Sequence, residues 1–119
     1  MSPEEIVRAW VDAFNKADAE ALAALYADNA INHQVADEPI RGQENIKISF
    51  AQRFAKAKMI SIPENIIEAG EWAIYEWSDP LGLLGCSVFK IENAKIAIQR
   101  GYWDKLTFLR IQGLPIPTL

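Results

Sequence analysis

The sequence predicts an α+β domain: a cone-shaped, curved antiparallel sheet with three N-terminal helices on its concave face, enclosing a pocket. Two observations carry the expectation. Apolar residues recur at helical spacing as far as Lys56, and from Met59 onward they alternate with a period of two. The strand-like segments also follow one another in sequence, in the order ααβαββββ, so they pair as neighbours and leave the helices to one face. Helices on one face of a curved sheet leave an opening, which is where a ligand would enter.

Each element has a local reason. Ser2-Pro3-Glu4-Glu5 reads as an N-cap, a proline in the first turn and a capping-box glutamate. Ile6, Trp10, Phe14 and Ala17 then keep helical spacing. Asp18 caps a second, shorter helix over Ala19–Tyr26, with Leu22, Leu25 and Tyr26 on its apolar side. Ala30–Val35 reads as a short strand and Asp37-Glu38-Pro39 as a loop. A third helix is predicted over Gln43–Lys56, with Ile46, Phe50 and Phe54 every four residues. Four strands follow, at Met59–Glu68, Trp72–Ser78, Leu84–Glu92 and Lys95–Phe108. Gly70-Glu71, Asp79-Pro80-Leu81-Gly82 and Glu92-Asn93-Ala94 supply the turns.

Composition narrows the function classes. A chain of 119 residues, 50% hydrophobic and 24% charged, is globular and fits one domain over 1–119. The net charge of −4, with no Lys/Arg cluster, argues against nucleic acid or an anionic membrane as partner. Cys86 has no second cysteine to pair with. No signal-peptide pattern and no apolar run near 18 residues is seen, so a cytoplasmic protein is expected. No metal-ligand spacing, Gly-rich phosphate loop or local nucleophile signature appears, and no cofactor is expected.

The last strand poses the chemical question. In Ile96–Leu106, Ile98, Arg100, Tyr102 and Asp104 share the parity of Ile96, while Ala97, Gln99, Gly101 and Trp103 share the other. Strict alternation therefore puts a carboxylate on one face with two isoleucines and a tyrosine. It sends Trp103 to the outer face, where with Ala97 and Gly101 it suits a homodimer interface.

"FNKADAEALAALYADNAINHQVADEPIRGQENI" and "CSVFKIENAKIAIQRGYWDKLTFLRIQGLP" resemble the opening and the last hairpin of SnoaL-like proteins. These belong to the nuclear-transport-factor-2-like superfamily. The resemblance covers nearly the whole chain and implies the cone-shaped fold. It also implies that Asp104 is the acid/base of a polyketide-cyclase-like or isomerase-like reaction, and that His33 borders the cavity mouth. A carboxylate beside Tyr102 and Ile98 on a cavity wall would be partly desolvated, which moves its pKa towards the working pH. The other reading of Asp104 is a solvated strand-end carboxylate bonded to a neighbouring lysine or backbone N–H.

Proton abstraction next to a carbonyl also needs donors for the enolate oxygen. His33, Tyr26, Tyr75, Tyr102 and the Trp10 indole are candidates. Trp10, Phe14, Phe50 and Phe54 face the sheet and would line a pocket for a flat hydrophobic molecule. Glu76 is the second carboxylate of interest, with the parity of Trp72 and Ile74. Arg100 either pairs with a carboxylate such as Glu76 or meets a polar ligand group. The catalytic sets of ketosteroid isomerase and of limonene-type epoxide hydrolases do not carry over. Cys86-Ser87-Val88-Phe89-Lys90 lacks the arginine and aspartate of the latter, and Gly101 stands where relatives often have an acidic residue. Two readings remain: a cofactor-independent cyclase or isomerase acting on a hydrophobic carbonyl compound, or a non-catalytic ligand-binding or interaction domain.

Overall fold

The structure, a computed structural model, describes residues 1–118. Helix α1 (Pro3–Asn15) begins with the capping box foreseen at Ser2 and Glu5. Its buried residues, Ile6, Val7, Trp10, Val11 and Ala13, form the stripe that packs on the sheet. Asp18 caps the short α2 (Ala19–Ala23), which ends before Tyr26. Tyr26 instead opens β1 (Tyr26–Gln34), a longer strand than the sequence predicts. After the two-residue β2 (Ile40–Arg41), α3 occupies Gln43–Lys56 as expected and buries Ile46 and Phe50.

Strands β3 (Ile62–Ala69), β4 (Trp72–Ser78), β5 (Leu84–Glu92) and β6 (Lys95–Trp103) complete a six-stranded curved sheet of order β2-β1-β6-β5-β4-β3. The fold class is the expected one, with one qualification: β1 lies parallel to β6, and the remaining pairs are antiparallel. The last strand is also shorter than expected. It stops at Trp103, and a fourth helix, α4 (Lys105–Gln112), follows with Gly113 in the left-handed conformation at its end. No helix among the described residues is long and apolar enough to cross a membrane.

The register of β6 departs from strict alternation at one place. Lys90 pairs with Ile98 but Ile91 pairs with Ile96, so Ala97 is an extra residue on β6, a β-bulge. One inserted residue reverses the facing of everything beyond it. Ile96 is buried against the helices; past the bulge, Gln99 and Gly101 are buried, and Trp103 turns inward with them. Ile98, Arg100 and Tyr102 lie on the convex face, Tyr102 with 46% of its surface exposed.

Two glycines confirm which face is inward. A Cβ on Gly101 would sit 2.0 Å from the Gln34 carboxamide oxygen, and one on Gly85 would sit 2.1 Å from the Trp77 ring. Each strand glycine is thus the seat of a cavity-wall side chain from a neighbouring strand.

Candidate ligand cavity

The concave face of the sheet, α1, α3 and α4 enclose a cavity of about 350 Å³. Trp10, Phe14, Phe50, Trp77 and Trp103 supply its aromatic wall. Trp10 stacks on Phe14 at 4.9 Å between ring centroids and meets Phe50, Tyr75 and Phe89 edge-on. These contacts hold the rings rigid as well as apolar. Phe54 stacks on Phe50 at 5.9 Å and supports the wall from behind.

Two hydrogen-bonded relays run across the floor, and each starts at an indole. The Trp10 Nε1–H donates to Tyr26 Oη at 2.9 Å, and the Tyr26 hydroxyl donates to Gln99 Oε1. An indole N–H can only donate, so Tyr26 accepts from Trp10, and its own proton goes to the Gln99 carboxamide oxygen. Gln99, 1% exposed, has its oxygen engaged by Tyr26 and lines the cavity, so its NH₂ is the part of the amide that remains to donate. Burial raises the Tyr26 pKa, and the Trp10 bond opposes this, so the phenol stays protonated and keeps donating.

The second relay engages both ends of the Gln34 carboxamide. Trp103 Nε1–H donates to Gln34 Oε1 at 2.8 Å, and Gln34 Nε2 donates to Asn32 Oδ1 at 2.8 Å. Asn32 is the register partner of Gln99, so the relays end on adjacent residues. Ser87 and Ser61 also line the cavity; Ser61 shares a 2.6 Å hydrogen bond with Tyr75, which is buried.

At the exposed end stand Arg53, Lys56, Lys105 and Asp37. Lys105 Nζ is 2.6 Å from Asp37 Oδ1. Arg53 is half-buried, and desolvation lowers its pKa against the opposing field of Asp37.

Several sequence expectations are corrected by this placement. Asp104 is not on the cavity wall. It is an exposed residue capping α4, accepting from the Thr107 N–H at 3.2 Å and from the Thr107 hydroxyl. Those bonds, the side-chain one first, hold its carboxyl below the usual range, the opposite of the shift a general base needs. His33 sits on β1 between Asn32 and Gln34, both inward, and so faces the convex side opposite Arg100. Glu76 is exposed on the convex face, where Asn65 donates to it at 3.0 Å. Arg100 makes neither of its expected contacts and lies over the Trp72 ring at 6.0 Å. Tyr102 is convex for the reason given, and Trp103 is a cavity residue rather than an interface residue.

Of the expected ligand-lining residues, Trp10, Phe14 and Phe50 line the cavity, while Tyr26, Tyr75 and Phe54 form the layer behind them. The residues that sequence reading missed are Gln99, Gln34, Trp77, Arg53 and the α4 side chains Phe108 and Leu109. Among the described residues no three His, Cys, Asp or Glu side chains gather in a metal-binding arrangement.

Residues 7–99 match the model of the SnoaL-like domain. No curated protein matches the chain. Among solved structures, a hypothetical protein of ketosteroid-isomerase-like fold from Catenulispora acidiphila, in complex with trimethylamine, is similar at a TM-score of 0.80 and 21% identity, over 97% of this chain and 96% of that one. An epoxide hydrolase of Mycobacterium tuberculosis, like limonene epoxide hydrolase, gives 0.79 at 20% identity, over 90% and 86%. An NTF2-like protein of unknown function from Cytophaga hutchinsonii gives 0.79 at 12%, over 92% and 96%. At these identities the likeness is one of fold.

Asp104 is expected to act through α4. Its depressed pKa means that it stabilises the helix above the ordinary value of 3.8 and loses that effect as the pH falls through the lower folded value. Amide hydrogen exchange over 105–112 reads this. Protection should fall in Asp104→Ala at pH 7, persist largely in Asp104→Asn, and decline in the wild type upon acidification. Unchanged protection in Asp104→Ala would remove the capping role.

Proposed function

The chain belongs to the SnoaL-like domain family, and from that premise we propose that its cavity binds a flat, hydrophobic small molecule carrying a carbonyl-type acceptor oxygen. The observation that carries this reading is the relay ending at Gln99. A buried amide whose oxygen is already engaged offers only its N–H groups, at the bottom of a wall made of rings. Such a group rewards a ligand acceptor and penalises its absence, because a buried donor left unpaired costs about 1–3 kcal/mol. The cavity volume suits a molecule of two fused rings. A cytoplasmic location belongs to the same reading.

A cyclase-like or isomerase-like reaction on the bound carbonyl is the second reading. It is favoured by Asp37, the acidic side chain among the cavity-lining residues, and by the epoxide hydrolase among the fold relatives. With Asp104 outside the cavity, Asp37 takes its place as the candidate base in this reading.

The homodimer is likewise a proposal, and its surface is redrawn. Ile67, 50% exposed, joins Ile74, Val88, Ile98 and Tyr102 on the convex face of adjacent strands, an apolar patch that a second copy would cover.

Two measurements test these readings. Titration of tryptophan fluorescence should show 2-acetylnaphthalene binding about tenfold tighter than 2-isopropylnaphthalene, an advantage abolished in Gln99→Leu. Equal affinities in the wild type would contradict the donor floor. In D₂O the second reading adds exchange of the acetyl protons that Asp37→Asn abolishes. Light scattering should give twice the 13.4 kDa chain mass for the wild type and the single mass for Ile98→Glu; a wild-type monomer at micromolar concentration would end the dimer proposal.

A further inference from the structure

The cavity's exposed end is cationic. Three cations, Arg53, Lys56 and Lys105, line it against one anion, Asp37, although the chain as a whole carries −4. Lys105 is engaged by Asp37. Arg53 forms neither an ion pair nor a side-chain hydrogen bond among the described residues.

Helix electrostatics explains only part of this. Arg53 and Lys56 stand in the last turn of α3, where a positive charge complements the helix dipole. That accounts for an exposed lysine. It does not account for a half-buried guanidinium on an apolar cavity wall, because the nearby anion, Asp37, is already engaged by Lys105 and an incompletely compensated buried cation is unfavourable. A planar fork of five donors with no acceptor is matched by a carboxylate, which it can hold through two parallel hydrogen bonds.

We infer that the ligand is an amphipathic acid, whose carboxylate is held by Arg53 at the cavity mouth while its apolar body and carbonyl oxygen reach inward to Gln99. The inference rests on the cavity reading above and adds the ligand's outer end. It gives the site a donor at each end: a neutral donor at the floor for an uncharged oxygen, and a charged donor at the rim for an anion. Lys56 adds field at the rim, where Asp37 is paired with Lys105.

The test compares 6-acetyl-2-naphthoate with 2-acetylnaphthalene, which is the same molecule without the carboxylate. Calorimetric titration of the full chain at low salt should show the acid binding about tenfold tighter, and the advantage should shrink as salt is raised. Arg53→Met keeps the aliphatic stem, so it should erase the advantage of the acid over the neutral ketone. Arg53→Lys should restore part of it. An acid bound no more tightly than the ketone would overturn the inference while leaving the cavity reading intact. Equal weakening of both ligands in Arg53→Met would overturn it as well, by assigning Arg53 to packing. Failure of both ligands to bind the wild type would instead bring down the cavity reading itself.

Discussion

Ala97 adds one residue to β6 opposite the Lys90–Ile91 step, and a pleated strand absorbs such an insertion only by changing phase. The end points of both floor relays follow from that change. Gln99 turns inward, where Tyr26 donates to it; Gly101 turns inward, where its missing side chain leaves room for the Gln34 carboxamide; Trp103 turns inward, where it donates to that same carboxamide. Without the bulge the inward face beyond Ile96 would present Ile98, Arg100 and Tyr102. The guanidinium would then lie within the apolar cavity and the two relays would have no end points.

The relays show how a small apolar core can hold polar groups without disorder. Each begins at a donor-only indole and runs inward to a carboxamide. The same logic makes the floor chemically one-sided. It offers N–H and has no buried carboxylate to take a proton, which is why recognition of an acceptor oxygen is better supported than acid–base chemistry at the floor. The family's fold is compatible with both outcomes, since its members share a scaffold and not a reaction.

Much of the architecture was legible in the sequence because local signals agreed with the global fold. The capping box of α1, the limits of α3, β4 and β5, and the aromatic wall of Trp10, Phe14 and Phe50 all stand where periodicity and capping chemistry put them. Two things were hidden, for different reasons. A bulge has no signature in apolar alternation when the inserted residue is as neutral as Ala97, so strict alternation puts Asp104, Arg100 and Tyr102 on the cavity side and Trp103 on the outer one, the reverse of the structure. Gly101 held the available clue, because a glycine inside a strand marks a close approach by a neighbour. Helix α4 was masked by the alternating run that precedes it, although Asp104 as N-cap and Gly113 at the C-terminal end frame it.

The inward turn of β6 is open to one direct measurement, the indole region of an ¹⁵N NMR spectrum. The account predicts a slowly exchanging Trp103 Nε1–H with nuclear Overhauser contacts to the Gln34 carboxamide and to Phe108, whose ring lies 5.4 Å from that of Trp103. A rapidly exchanging Trp103 indole with contacts to Cys86 or Val88, on the convex side of β5, would show that the strand runs through Ala97 in unbroken alternation and that the cavity floor described here does not exist.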